Sequence, residues 1–282
     1  MNKFCIQIVL FLLSIFVYVN NKVLATEPAP EENTTPKSKN RYPSSEEIYE
    51  RNKGLLCTNP KETKEAIELM NEAVKQLEHH ATDMGNYKLC AVGINPDPTL
   101  YTKKLQNNTD VEKIDYIVYG FNKYNEIISE IWDPDTPNTL NTGSVKIARV
   151  YNPNLVIIQQ RYKKKFGSSQ KYFYALATKA QISEDTTIIA YVSADINDHN
   201  PSEKKYENKI IQKANSFKTD INSEKDIRKG KLKKTFVNLA GYYIQKQGDR
   251  AYVTYIESID GHASIKYRSF CGARFEEYYL NV

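Results

Sequence analysis

The sequence lacks the short motifs with which common enzyme classes bind and transform their substrates. It has no G-x-S-x-G nucleophile turn, no H-E-x-x-H metal motif, no glycine-rich phosphate loop and no dinucleotide-binding fingerprint. Asp195, Asp198 and His199 could imitate a metal site, but they stand in the run DINDHN, and Asn and Asp favour solvated turns. We therefore expect a protein that is not an enzyme and needs neither a cofactor nor a metal ion.

A strong excess of one charge is also missing. The chain has 39 basic and 34 acidic residues, a formal net charge of +5, which is too mild to indicate nucleic acid as a partner. Two short basic clusters, Lys163–Lys165 and Arg228–Lys234, are either solvated loops or sites of transient contact with an anionic membrane surface.

Long hydrophobic runs are absent except near the first residue. The apolar run from Phe4 to Val19 follows Lys3 and leads to Val23 and Ala25, which suit a signal-peptidase site. This layout predicts a secretory signal peptide over residues 1–25. The alternative is a membrane anchor, although the run is slightly short for a spanning helix.

Cysteine is scarce, with four residues in the chain, and Cys5 would leave with the signal peptide. Cys57, Cys90 and Cys271 form no C-x-x-C motif. In an oxidising compartment we expect one disulfide and one free thiol, with Cys57 and Cys90 as the expected pair.

The rest of the chain divides into a linker and a folded region. Residues 26–45 contain four prolines and almost nothing apolar, which predicts a disordered linker. Helical signals follow: a first helix from Ser44, and a second from the N-cap Asn59 with Pro60 at its first position. The expected apolar stripe of the second helix is Ala66, Ile67, Met70, Ala73, Val74 and Leu77. His79 and His80 stand at its end, where a cation favours the helix dipole.

Beyond Gly85 the pattern shortens to strands, interrupted by a third helix from about Asn122 to Trp132. The strongest strand candidates are VKIARVYN, LVIIQQRYK, KYFYALATKAQ, TTIIAYVSAD and VTYIESI. Because only a few residues separate successive strands, we expect an antiparallel sheet and an α+β domain.

Two runs in the second half resemble the START lipid-transfer superfamily. QKYFYALATKAQISEDTTIIAYVSAD resembles its central strands, and GYYIQKQGDRAYVTYIESIDGHASI resembles the pair of strands that follows. The resemblance implies a START-like helix-grip fold over residues 46–265, in which N-terminal helices and a curved antiparallel sheet accompany a C-terminal helix. It also implies a phospholipid ligand held between sheet and helix.

Longer phrases, among them RYPSSEEIYERNKGLLCTNPKETKEA and ARVYNPNLVIIQQRYK, resemble the fam-a multigene family of rodent malaria parasites. Those proteins are secreted and START-related, and some are thought to move phosphatidylcholine. The resemblance implies a secreted lipid-binding or lipid-transfer protein for phosphatidylcholine-like phospholipids at the parasite–host interface. It would act in the parasitophorous vacuole or after export to the host cell.

A lipid site needs a water-excluding cavity with a few polar groups, so the candidate residues are apolar. Strand alternation places Phe173, Ala175 and Ala177 on one face, where two alanines beside a phenylalanine would leave room for an acyl chain. An ordinary packed core is the alternative. The further candidate lipid-binding residues are Ile189, Tyr191, Tyr243, Val253 and Trp132.

The chain departs from the START pattern in two places. Several START proteins hold the head group with an acid and an arginine, whereas Ile158 and Ala177 stand near those positions here. Only about twenty residues follow Asp260, and residues 266–282 form an atypical tail, so we expect a shortened C-terminal helix. The alternative function is a host-facing binding or antigenic module, with a partner on the host-cell surface, that keeps the fold without lipid transfer.

Overall fold

The computed structural model describes residues 42–263 except 84, 93–97, 137–142, 165 and 203, and this part of the chain begins with two helices. Helix α1 spans Ser45–Arg51 and is capped by Ser44 in a reciprocal capping box with Glu47. After a 3-10 turn, helix α2 spans Pro60–Thr82, and the Asn59 side chain accepts hydrogen bonds from N–H groups of its first turn. Both predicted starts are confirmed.

The predicted signal peptide (residues 1–25), almost all of the predicted linker (26–45) and the predicted tail (266–282) lie outside the described residues. Ser45, the last residue of the predicted linker, already belongs to α1. None of the described helices is long and apolar enough to cross a membrane.

Strands hold more of the described residues than helices do. Their bounds are β1 Lys88–Val92, β2 Thr99–Lys104, β3 Asp110–Tyr119, β4 Gly143–Asn152, β5 Leu155–Tyr162, β6 Lys171–Ser183, β7 Thr186–Val192, β8 Asp195–Asn197, β9 Lys218–Asp220, β10 Lys233–Lys234, β11 Phe236–Gln247 and β12 Arg250–Asp260. Helix α3 spans Lys123–Trp132 between β3 and β4, and the short helix α4 spans Lys225–Arg228 between β9 and β10.

The main sheet has the order β1-β2-β3-β12-β11-β7-β6-β5-β4, and its neighbours along this path are antiparallel. The antiparallel α+β architecture expected from the short connections is confirmed. Between β7 and β11 the chain makes an insertion, residues 193–235, that holds a small parallel pair of β8 and β9. Strand β10, at the end of this insertion, pairs in parallel with the start of β6.

Helices cover both faces of the main sheet, which we name after them. On the α2 face, Leu69, Leu77 and other apolar residues of α2 pack against Tyr172, Leu176, Ile188 and Leu239 of the strands. On the α3 face, Tyr124, Ile127 and Trp132 of α3 join a second apolar cluster that includes Phe173, Ile189, Tyr242 and Val253. The period-two alternation of each strand therefore divides its side chains between two separate cores.

Gly241 sets the distance between α2 and the sheet. It lies in the middle of β11 with φ of +150°, and a Cβ there would collide with the side chain of Leu77 and the carbonyl oxygen of Ile189. Only glycine adopts this backbone conformation while leaving room for the helix.

The structure corrects two details of the predicted α2 stripe. Ile67 is exposed, whereas Leu69 is buried. The face of α2 that contacts the sheet is therefore rotated slightly from the predicted face. His80 is also buried, and its Nδ1 lies 3.0 Å from the Tyr87 hydroxyl. Burial lowers the pKa of His80 to about 4, so it is neutral at pH 7 and is not the cation expected at the helix end.

The expected disulfide between Cys57 and Cys90 is wrong, since both cysteines are free. Cys57 lies beside β4, donating its backbone N–H to Val150, whereas Cys90 belongs to β1. These two strands are opposite edges of the main sheet. Cys271 lies outside the described residues.

Candidate functional site

The candidate site is the α3 face of the main sheet. Helix α3 is anchored at one end of this face, where the Gly120 N–H donates to the Asp249 carbonyl at 3.1 Å. The Tyr124 hydroxyl lies 2.9 Å from Thr187 Oγ1 on β7. At its other end, α3 brings the Trp132 ring beneath Lys179, with Nζ 5.7 Å from the ring centroid.

Three alanines lie on this face, on either side of Tyr191. Ala175 and Ala177 are on β6, and Ala240 is on β11; Tyr191 of β7 is paired with both Ala177 and Ala240. All three alanines belong to the α3-face cluster and are almost fully buried. A methyl group extends much less far from the sheet than the Phe173 and Tyr191 side chains, and we call the three alanine positions, defined by side-chain length alone, the alanine depression.

Several apolar side chains around this depression are only partly buried, although they pack against the cluster. They come from strands on both sides and from α3: Tyr116, Ile128, Ile131, Val145, Tyr191 and Ile259. Burial alone raises the pKa of Tyr191, yet its side chain keeps intermediate solvent exposure. The Tyr191 side chain is therefore largely surrounded by protein while part of its surface is not in contact with the cluster.

The structure brings together seven of the eight candidate residues that the sequence indicated. They are Trp132, Phe173, Ala175, Ala177, Ile189, Tyr191 and Val253, and all lie on the α3 face. Tyr243 does not join them. It is paired with Ile188 and packs against the α2-face cluster, so we exclude it from the candidate lining.

Sequence reasoning missed a buried carboxylate on the α3 face. Glu257 is buried on β12, and its Oε2 accepts a hydrogen bond of 2.8 Å from the Tyr255 hydroxyl. The Tyr255 ring in turn lies 4.8 Å from the Tyr242 ring, centroid to centroid. Alternation along β12 could have found it, because Val253, a predicted lining residue, shares its face with Tyr255 and Glu257.

A basic side chain, Lys179, lies on the same face two residues beyond Ala177. Its Nζ donates to Ser45 Oγ of α1 and lies over the Trp132 ring, and burial lowers its pKa. The α3 face therefore carries a carboxylate on β12 and an ammonium group on β6, with apolar residues and alanines between them.

Other parts of the described chain offer less enclosed sites. Two surface grooves, of about 710 and 660 Å³, lie near the β4 edge. The groove of about 710 Å³ is lined by the ion pairs of Arg161 with Asp226 and of Lys146 with Glu224. Both grooves open to solvent, so neither would exclude water from an apolar ligand.

The grouping of Asp195, Asp198 and His199 does not form a metal site, and no other such cluster occurs within the described ranges. His199 Nε2 lies 3.1 Å from Asp220, whereas Asp198 is buried and accepts a hydrogen bond of 2.8 Å from the Tyr172 hydroxyl. Asp198 also pairs with Lys234 at 3.1 Å. Asp198 therefore joins the insertion to β6 and does not lie in the solvated turn that the sequence predicted.

Comparison with solved structures identifies the fold as START-like. Human StAR-related lipid transfer protein 5 matches with a TM-score of 0.50 at 13% identity, over 72% of this chain and 85% of that one. Human STARD10 matches at 0.43 and 10% identity, over 72% of each chain. The lipid transfer and protein localization domain of human StarD13 matches at 0.41 and 15% identity, over 69% and 85%. No protein-family model and no curated protein matches the sequence.

Proposed function

We propose that this chain is a secreted START-type lipid-binding and lipid-transfer protein, selective for phosphatidylcholine-like phospholipids, that works without catalysing a reaction. The observation that carries the proposal is the apolar α3 face of a START-like sheet, with small side chains at Ala175, Ala177 and Ala240. Apolar walls of this kind suit an acyl chain, because each buried methylene contributes about 0.8 kcal/mol.

Glu257 and its tyrosines support a choline head group. A carboxylate beside aromatic rings attracts a quaternary ammonium ion by charge and by cation–π contact. Glu257, Tyr255 and Tyr242 provide this combination on the α3 face. They would replace the acid and arginine of other START proteins, since Ile158 and Ala177 are both apolar members of the same cluster.

The compartment in which the protein acts is proposed from the sequence. The predicted signal peptide and the fam-a-like phrases support secretion into the parasitophorous vacuole, or export to the host cell, in a member of that parasite family. A lipid carrier must also touch the membranes between which it moves its cargo, so transient contact with a membrane surface belongs to the proposal.

A transfer assay tests this function. Delipidated protein is mixed with vesicles that carry labelled phosphatidylcholine, and the label is followed in the protein fraction and in acceptor vesicles. We expect saturable uptake and protein-dependent transfer. Failure of folded protein to take up any labelled phospholipid would refute the proposal.

Head-group choice is tested separately with the variant Glu257→Gln. Because glutamine keeps the size but loses the charge, we expect weaker uptake of phosphatidylcholine while uptake of phosphatidylglycerol, which has no cation, is unchanged. The matched control is Glu207→Gln in the insertion, an exposed acid. Equal preference in the wild type and Glu257→Gln would remove Glu257 from the head-group site.

The second candidate function is a host-facing binding or antigenic module without transfer. The observation in its favour is that apolar Ile158 and Ala177 stand near the positions of the acid–arginine pair of other START proteins. Saturable binding of lipid-free protein to red-cell or endothelial surfaces would support it, and absence of such binding would exclude it.

A further inference from the structure

The loop between β5 and β6 presents a fully exposed aromatic side chain, Phe166. The base of the loop is closed, because the Gln170 side chain donates to the Tyr162 carbonyl at 2.9 Å. Lys163 and Lys164 precede Phe166 and are also exposed. The loop therefore presents an apolar ring to solvent directly after exposed lysines.

A second group of lysines lies beside this loop, although it is distant in sequence. Strand β10 pairs with the first residues of β6, and the Lys233 N–H donates to the Gln170 carbonyl at 2.9 Å. The two basic clusters that the sequence indicated therefore meet at one end of the main sheet. Lys231 and Lys233 are exposed there.

Acidic side chains near this end are already paired within the protein. Asp226 pairs with Arg161 at 2.7 Å, and Glu224 pairs with Lys146 at 2.7 Å. By contrast, the exposed lysines form no ion pair with any described residue; they are Lys163, Lys164, Lys231 and Lys233. This end of the sheet therefore has four lysines whose charge no described acidic side chain neutralises by direct pairing.

We infer that Phe166, Lys163, Lys164, Lys231 and Lys233, together called the docking surface, bind an anionic lipid bilayer. Phe166 enters the boundary between head groups and acyl chains, and the lysines contact acidic head groups. An exposed ring beside lysines that pair with no described residue fits a bilayer, because a bilayer offers an apolar boundary region beneath an anionic surface. Its position serves the proposed lipid function, since Tyr162 at the loop base contacts Phe173 of the α3 face, with ring centroids 5.8 Å apart.

Flotation with vesicles tests the docking surface. The protein is mixed with vesicles of phosphatidylcholine alone, or of phosphatidylcholine with phosphatidylserine, at low and high salt. We expect binding only to the serine-containing vesicles, weakened by salt. Removing two charges in Lys231→Gln/Lys233→Gln reduces the partition coefficient by about 25-fold, or about fivefold per lysine, and Phe166→Ser reduces it by about tenfold.

Two matched variants make the test specific to this end of the molecule. Lys61→Gln/Lys64→Gln removes the same charge from the exposed side of α2, and Phe121→Ser removes an exposed phenylalanine at the opposite end of the sheet. Both should bind vesicles as the wild type does. In Phe166→Trp, anionic vesicles should shift the tryptophan emission to the blue.

Wild-type binding that is indifferent to phosphatidylserine would overturn the inference, as would equal losses in the matched variants. Preference of the docking surface for RNA or for an acidic protein over vesicles would also overturn it. Lipid content measured by native mass spectrometry separates this result from the proposed function. A docking variant should still carry lipid, whereas a protein that floats with vesicles but carries no lipid would contradict the proposed function alone.

Discussion

Replacing Ala177 by leucine distinguishes a lipid site from an ordinary core on the α3 face. Leucine adds three carbon atoms at the centre of the alanine depression, between Val156 and Tyr191. If an acyl chain fills this space, the new side chain displaces about three methylenes. At about 0.8 kcal/mol for each methylene, lipid binding weakens by about 2.4 kcal/mol, or about 60-fold in Kd.

If the face is an ordinary packed core, the same change has another signature. The extra carbons would overpack the interior and lower the free energy of unfolding by about 1–3 kcal/mol, without any effect on lipid. The assay therefore measures two quantities for each protein, the Kd for labelled phosphatidylcholine and the urea-unfolding free energy of the delipidated form.

The control is Ala180→Leu, on the same strand but facing α2 and only partly buried. We expect it to leave lipid binding unchanged. The reasoning is refuted if Ala177→Leu binds lipid as tightly as the wild type while its unfolding free energy falls.

Three further predictions concern the fold. The pKa of His80 is lowered to about 4 in the folded protein, so the unfolded chain binds the proton first as the pH falls below 6.5. The free energy of unfolding should therefore drop by up to about 3 kcal/mol between pH 6.5 and 4. Urea unfolding at several pH values should show a smaller drop in His80→Asn. Gly241→Ala should lose about 3 kcal/mol or more through its clash with Leu77, and an unchanged melting temperature would contradict the assigned contact. Glu62 accepts hydrogen bonds of 2.7 Å from both Arg149 and Tyr151, so Glu62→Gln should lose about 2 kcal/mol, and a double-mutant cycle with Arg149→Met should show coupling between the two.

Local signals in the sequence were enough to predict most of the elements. Capping residues such as Ser44 and Asn59 act within one helical turn, so they mark helix starts without knowledge of the rest of the fold. Alternation along a single strand placed Phe173, Ala175 and Ala177 on one face for the same reason.

Relations between strands could not be predicted in this way. Tyr243 lies on the α2 face, away from the other candidates, because alternation within β11 does not say which of its faces matches that of β6. The Cys57–Cys90 pairing failed because strand order, which puts β1 and β4 at opposite edges, is a long-range property. The meeting of the two lysine clusters likewise depends on β10 joining β6.

Native mass spectrometry of the purified protein, followed by lipid extraction, tests the central claim most directly. The account predicts one phospholipid per protein molecule, with phosphatidylcholine as the main species, and loss of that ligand in Ala177→Leu. Folded protein that carries no lipid, and takes none up from phosphatidylcholine vesicles, would contradict the claim that the α3 face is a lipid site.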